Sequence, residues 1–316
     1  MKIRKLLIGT VLVIVGLPVV LLLIAAATMA VLDRTNGSIV SSGQKREYLL
    51  HVPPGYDRAR PMPLIISMHG AAGWPAQQMN TSRWNQLADE QQFIVVYPSG
   101  NDVPKIWHIA GGAALTRDVR FISDLIDKLE AAYNIDPTRI YADGLSAGGG
   151  MAFVLSCALS DRIAAVGLVA AASQLPSSWC TAARPVPLIE FHGTADPFVP
   201  YAGGLSQSAF APTRFDPNAK PFPSILTWTA DWARRNRCGV DPVHAAIAAD
   251  VTRLEYTDCA AGAAVVLYTI QGGGHTWPGG KPFPKWMMTG ATSNGIDATR
   301  RIWEFFRGHP LPDKPV

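Results

Sequence analysis

The sequence predicts an α/β protein: a mostly parallel, doubly wound sheet with helices packed on both faces. Three observations carry that expectation. Short runs of unbroken apolar residues recur along the chain, amphipathic segments separate them, and Gly, Pro or Ser punctuates their ends. A strand covered by helices on both faces has no polar side, so it reads as a continuous apolar run rather than an alternation. Strands that alternate with helices build parallel sheets through crossover connections.

The elements follow in chain order. Residues 48–52 form a strand that ends at Pro53-Pro54-Gly55. The runs 64–68 and 93–97 are further strands, stopped by His69-Gly70 and by Pro98-Ser99-Gly100, with a helix over 82–92 between them. A long helix is expected over 117–133, because Val119, Ile122, Leu125, Ile126 and Leu129 recur at steps of three and four and make one apolar stripe. Next come a strand at 140–142, a helix at 147–159, and core strands at 164–170 and 187–191. A helix at 224–236, strands at 251–256 and 265–270, and a closing helix at about 296–307 complete the set. No internal repeat or second linker is visible, so residues 46–316 read as one catalytic-sized domain.

The N-terminus is a different kind of segment. Lys2, Arg4 and Lys5 precede a run from Leu6 to Leu32 with no charge in it. As a helix this run would extend ~40 Å, more than the ~30 Å hydrocarbon core of a bilayer. It exceeds the apolar region of a cleavable leader, about 7–15 residues. Residues 1–32 therefore read as a signal anchor or a signal peptide, with small residues at Ala25, Ala26, Ala27 and Ala30 suited to cleavage. Residues 33–45, polar and rich in Gly and Ser, read as a stalk. The basic start stays on the cytoplasmic side and the remainder is exported, either anchored facing the periplasm or exterior, or secreted.

That segment also explains the charge. The chain has 316 residues and a net charge of +4, and the first five residues hold three of those excess positives. The rest is close to neutral, and its densest basic cluster, Arg234, Arg235 and Arg237, sits at a helix end where cations suit the dipole. Nucleic acid is therefore excluded as an expected partner. With 48% hydrophobic and 16% charged residues, disorder is excluded too.

Four cysteines fit an oxidising compartment. Cys157 and Cys180 are 23 positions apart, and Cys238 and Cys259 are 21 apart. No C-x-x-C pair or zinc-like histidine spacing accompanies them, so neither a metal nor a cofactor is expected. Each locally paired bridge would contribute ~3 kcal/mol by restricting the unfolded chain. Three connectivities are open on spacing alone.

The chemistry concentrates in three glycine-rich turns. Gly144-Leu145-Ser146-Ala147-Gly148 matches G-x-S-x-G and stands between a predicted strand and a predicted helix. That context suits a nucleophile elbow, in which a tight turn lifts a serine hydroxyl above the sheet edge. A serine is a poor nucleophile unless a base takes its proton, and the base needs an acid to orient it. His192-Gly193-Thr194-Ala195-Asp196-Pro197 leaves one core strand and presents Asp196. Gly272-Gly273-Gly274-His275 leaves the last strand and presents His275. The chain order Ser, Asp, His is that of hydrolases of this architecture. Asp143 lies inside the elbow strand, Asp161 at a turn and His244 in an unpatterned stretch. His51, His192 and His309 read as surface, turn or backbone-bonded residues. His69-Gly70-Ala71-Ala72-Gly73 follows a strand where an oxyanion donor belongs, so the backbone N–H groups of Ala71 and Ala147 are the expected pair. His69 itself reads as a structural residue of that turn. Trp107, Trp277 and Trp286 are candidates to line a substrate groove.

GLSAGGGM, HGTADPFVPY, GGGHTWPGG and DVRFISDLIDKLEAAYNIDPTRIYADGLS together resemble the polyhydroxybutyrate depolymerase and feruloyl esterase group, carbohydrate esterase family 1, within the α/β-hydrolase superfamily. The likeness covers about Arg46 to Phe306. It implies an α/β-hydrolase fold, a serine carboxylic-ester hydrolase, and a triad of Ser146, Asp196 and His275. It also implies the disulfides Cys157–Cys180 and Cys238–Cys259. Arg117-Asp118-Val119 departs from the pattern, where many relatives carry two acids before the valine. Relatives acting on solid polyester carry a linker and a surface-binding module beyond this domain. The expected substrates here are soluble 3-hydroxyacyl oligomers or hydroxycinnamoyl-type esters. A peptidase or acyltransferase of the same fold and a non-catalytic, membrane-tethered binding protein are the alternative readings.

Overall fold

The sheet has ten strands, and their spatial order is β1-β2-β4-β3-β5-β6-β7-β10-β9-β8. The computed structural model describes residues 20, 27–175, 177–211 and 218–312. Its centre is parallel: β4 (Ile94–Pro98), β3 (Met62–Met68), β5 (Ile135–Leu145), β6 (Val166–Val169), β7 (Leu188–Gly193) and β10 (Val265–Ile270). Antiparallel pairs finish both edges, with β1 (Gly37–Ser41) and β2 (Gln44–His51) at one and β9 (Val251–Tyr256) and β8 (Val243–Ala248) at the other.

The unbroken apolar runs are the parallel strands. Every residue of β3, β4, β6 and β7 is buried. Successive side chains serve different cores: Leu64 and Ile66 face one side of the sheet, and Ile65 the other. The first core is closed by α3 (Gly112–Ala132), α4 (Ala147–Ala158) and α5 (Ile225–Arg235), which contribute residues such as Ile122, Met151 and Trp232. The second is closed by α1 (Pro75–Ser82), α2 (Trp84–Gln91) and α6 (Ala298–Arg307), through residues such as Trp84, Leu87 and Phe306. Side-chain caps fix two of these starts. Ser224 accepts the Thr227 N–H at 3.2 Å, and Asp297 accepts the Arg300 N–H at 3.0 Å.

Three expectations need correction. Residues 33–45 are not a free stalk, because Gly37–Ser41 forms β1 and pairs with β2. Ser42 and Gly43 both take positive φ, 51° and 75°, which makes the Ser-Gly a tight hairpin turn rather than a linker. The helix expected at 82–92 is present as Trp84–Gln91, but a second helix not expected from the sequence, Pro75–Ser82, precedes it, with Arg83 between them in the left-handed region at φ 62°. The unpatterned stretch around His244 is the edge strand β8, largely exposed and so without an apolar signature.

The apolar segment 6–32 lies almost wholly outside the described residues. Residues 27–32 are helical, with Met29 and Val31 exposed. Among the described residues no helix is long and apolar enough to cross a membrane. Both disulfides form, Cys157–Cys180 tying α4 to the loop after β6, and Cys238–Cys259 tying the end of α5 to the loop after β9.

Candidate active site

Ser146 stands between the end of β5 and the start of α4, and its backbone is held at φ 56°, ψ −121°. A non-glycine residue keeps such a conformation only when its surroundings impose it. Here the Ser146 N–H donates to Val169 O at 2.9 Å, and its carbonyl accepts the Gly150 N–H at 2.9 Å. The glycines around it are forced by close approach. A side chain at Gly148 would collide with the backbone carbonyl of Met68 on β3, and one at Gly149 would sit 2.6 Å from Ala171 Cβ.

Asp196 and His275 arrive from the ends of β7 and β10, which are parallel neighbours. His275 Nδ1 lies 2.8 Å from Asp196 Oδ2, and both residues are buried. The other carboxylate oxygen, Oδ1, accepts the backbone N–H groups of Phe198 and Val199 at 2.8 and 2.9 Å. Burial by itself would raise the Asp196 carboxyl. His275, by charge and hydrogen bond, together with His192 and the Val199 N–H, holds it below the usual aspartate value. The glycines before the histidine serve a close crossing: a Cβ at Gly274 would strike the carbonyl of Thr289. The His275 N–H bonds that same carbonyl at 2.6 Å.

Ser146 and His275 line one cavity of about 250 Å³. His69, Gly70 and Ala71 form another part of its wall. The Ala72 N–H is taken by Lys105 O at 2.7 Å, and the Gly73 N–H by Gly70 O at 3.0 Å. His69 is structural. Its Nδ1 donates to Gly70 O at 2.7 Å while Nε2 accepts the Gly100 N–H at 2.9 Å, and burial lowers its pKa to about 4.

Phe198, Phe210, Phe222, Phe283 and Met287 make an apolar part of the wall, and Gln77, Gln78, Thr81, Ser206 and Thr289 add polar side chains to it. Phe198 lies over the His275 ring at 4.7 Å between centroids. The apolar residues were not legible in the sequence, since they come from loops with no periodicity; only Phe198, two positions after Asp196, had a local signal. The three tryptophans expected there do not line the cavity. Trp107 is buried, donates to His69 O at 3.0 Å and stacks against Phe121. Trp277 is buried, and its Nε1 donates to Thr299 Oγ1 at 2.9 Å. Trp286 is exposed beside Met287. The two buried indoles fill the core and satisfy their one donor there. At the departure Arg117-Asp118, Arg117 is exposed, while the retained acid Asp118 is buried and pairs with Arg46 at 2.9 Å and with His108 at 2.8 Å.

A mostly parallel sheet with a strained serine turn at the end of its central strand defines an α/β-hydrolase. The comparisons agree. The sequence model of the family described as esterase PHB depolymerase matches residues 46–178. NocK of Nocardia uniformis subsp. tsuyamanensis, whose name assigns it as an esterase, is 30% identical over 289 residues, 87% of this chain and 83% of that protein. Feruloyl esterase B of Piromyces equi is 32% identical over 243 residues; this covers 75% of this chain but 44% of that longer protein. Among solved structures, the acetyl xylan esterase from Aspergillus awamori superposes with a TM-score of 0.60 at 14% identity, covering 86% of this chain and 98% of that one. At that identity the likeness speaks for the fold. The chain belongs to the esterase PHB depolymerase family.

Proposed function

We propose that the protein is an exported serine esterase that hydrolyses carboxylic esters through Ser146, His275 and Asp196. The observation that carries this reading is the buried 2.8 Å contact of His275 Nδ1 with Asp196 Oδ2, on a cavity that the strained Ser146 also lines. An isolated buried imidazole–carboxylate pair has no need of a left-handed serine beside it.

His275 Nε2 takes the Ser146 proton as Oγ attacks the ester carbonyl, and Asp196 stabilises the imidazolium and holds its tautomer. The N–H groups of Ala147, at the start of α4, and of Ala71 stabilise the tetrahedral oxyanion; the engagement of the Ala72 and Gly73 N–H groups elsewhere supports Ala71. His275 then protonates the departing alcohol, and water releases the acid by the same steps in reverse. The phenylalanine-rich wall supports an apolar acyl or alcohol group: soluble 3-hydroxyacyl oligomers or hydroxycinnamoyl-type esters. The two disulfides support an exported site of action, with residues 1–32 as its signal anchor or signal peptide. A panel of p-nitrophenyl acyl esters, methyl ferulate, 3-hydroxybutyrate oligomers and a peptide amide tests the reading. Ester turnover should fall by ~10³-fold or more in Ser146→Ala. Undiminished ester hydrolysis in that variant, or cleavage of the amide alone, rejects it.

A further inference from the structure

Behind Asp196 the sheet buries a second acid–histidine pair. Glu190 and His192 lie two apart on β7, so they point to the same face, and both side chains are fully buried. His192 Nδ1 is 3.0 Å from Glu190 Oε1. His192 Nε2 is 2.9 Å from Val199 O and 3.4 Å from Asp196 Oδ2, the oxygen that His275 also engages. Carboxylate, imidazole, carboxylate and imidazole thus form one row from the interior of the sheet to the cavity.

The surroundings give this row little else to interact with. Leu168 on β6 and Leu267 on β10 stand opposite Glu190, and Thr269 opposite His192. Val199 and Ile225 close the same face. Among the described residues the ionisable groups turned toward the pair are Asp196, His275 beyond it, and Tyr201, whose hydroxyl is bonded to Thr269 Oγ1 at 2.8 Å and whose ring lies 6.1 Å from that of His192. The charged residues of α5, Asp231, Arg234 and Arg235, are occupied elsewhere, Asp231 with Arg234 and Arg235 over the Trp232 ring. An acid at position 190 is costly in a strand otherwise reading Leu188-Ile189 and Phe191, because an apolar residue there would be at least as stable. Among the described residues Glu190 Oε2 has no hydrogen-bond partner.

We propose that Glu190 and His192 are positioning residues: Glu190 orients the His192 ring, and His192 as a cation holds the Asp196 carboxylate ionised and aimed at His275. The inference rests on the triad reading above. With His192 in place, Asp196 Oδ2 is held from two sides and Oδ1 by two backbone N–H groups, so the carboxylate cannot rotate without breaking several contacts. Glu190 and His192 together add no net charge, but the positive end of their dipole faces Asp196. Burial alone would lower the His192 pKa, yet its hydrogen bond to Glu190 and the charges of Glu190 and Asp196 raise it above the usual histidine value.

The test compares Glu190→Gln, His192→Gln, the double variant and Ser146→Ala with the unaltered protein. The reading is kcat and KM for p-nitrophenyl acetate across pH. Removing the His192 charge lets Asp196 protonate more readily. His192→Gln should therefore lose about tenfold in kcat, with KM within about twofold, and the acid limb of its profile should move to higher pH. Glu190→Gln should move the same way by less, and the double variant should match His192→Gln, because Glu190 acts through His192. Single variants with the kcat and pH profile of the unaltered protein, whatever their melting temperatures, overturn the proposal and leave the pair a structural element. If the variants do not fold, NMR of isotope-labelled histidine in the unaltered protein decides. Two ring protons retained on a buried, non-titrating histidine through the active pH range support the proposal, and a neutral His192 overturns it. Ser146→Ala separates the two readings: its activity rejects the triad itself, whereas its inactivity beside normal pair variants rejects only the positioning role.

Discussion

Asp143 and Asp196 are both buried carboxylates near the same edge of the sheet, and they are set up in opposite ways. Asp143 lies on β5, three residues before Ser146, and accepts a hydrogen bond from Ser67 Oγ at 2.6 Å. Among the described residues no cation faces it, and burial pushes it up to about 8 against that hydrogen bond. Asp196 lies in the loop after β7, between two histidines and two backbone N–H groups, and is held below the usual value. Burial alone therefore makes a carboxyl a neutral acid, and partners decide whether it becomes an anion that can orient a base. The sequence set Asp143 aside as a residue inside a strand; its surroundings give the electrostatic reason.

The comparison can be broken most sharply by amide substitution at each site. Asp196→Asn should reduce kcat by ~10⁴-fold on p-nitrophenyl acetate, because the amide favours the wrong His275 tautomer. Asp143→Asn should leave kcat within about threefold. Equal losses in stopped assays of the two purified variants would remove the distinction.

The pH dependence of stability should differ in sign. The Asp143 carboxyl has an ordinary value of 3.8 and one of about 8 when folded, so the native state holds its proton more tightly. Its stabilisation is complete below about pH 4 and is lost as pH rises toward 8, with a slope of at most ~1.4 kcal/mol per pH unit. Asp196 contributes the reverse: its stabilisation is present above the usual aspartate range and disappears on acidification. Denaturant unfolding at a series of pH values should show the alkaline loss, and Asp143→Asn should flatten it. An unchanged alkaline slope in that variant would show that Asp143 is not its source.

The smallest expected effect concerns the packing behind the turn His69–Gly73. Trp107→Phe removes the 3.0 Å hydrogen bond to His69 O and should cost about 1 kcal/mol in unfolding free energy. KM for methyl ferulate should stay within about twofold. A large KM increase without loss of stability would return Trp107 to the substrate groove.

Legibility followed burial and spacing. The parallel strands were visible because covered strands are apolar throughout, and α3 was visible because its stripe repeats at the helical period. Strands β1 and β8 were missed because edge strands are half exposed, and their Ser, Gly and Ala residues imitate linkers. Ser146, Asp196 and His275 stood out because glycines mark the turns that carry them. The apolar cavity wall did not, because Phe210, Phe222 and Phe283 come from loops without a repeating pattern.

By itself the sequence determined the layered architecture, the order of the chemical groups and the turns that present them, since periodicity and glycine placement are local properties. The tertiary structure alone decided which side chains meet. It buried Trp107 and Trp277, enclosed Asp143 so that burial dominates its titration, and aligned Glu190, His192, Asp196 and His275 in one row. Charge state and contact depend on neighbours far apart in the chain, and those neighbours exist only once the strands have taken their register.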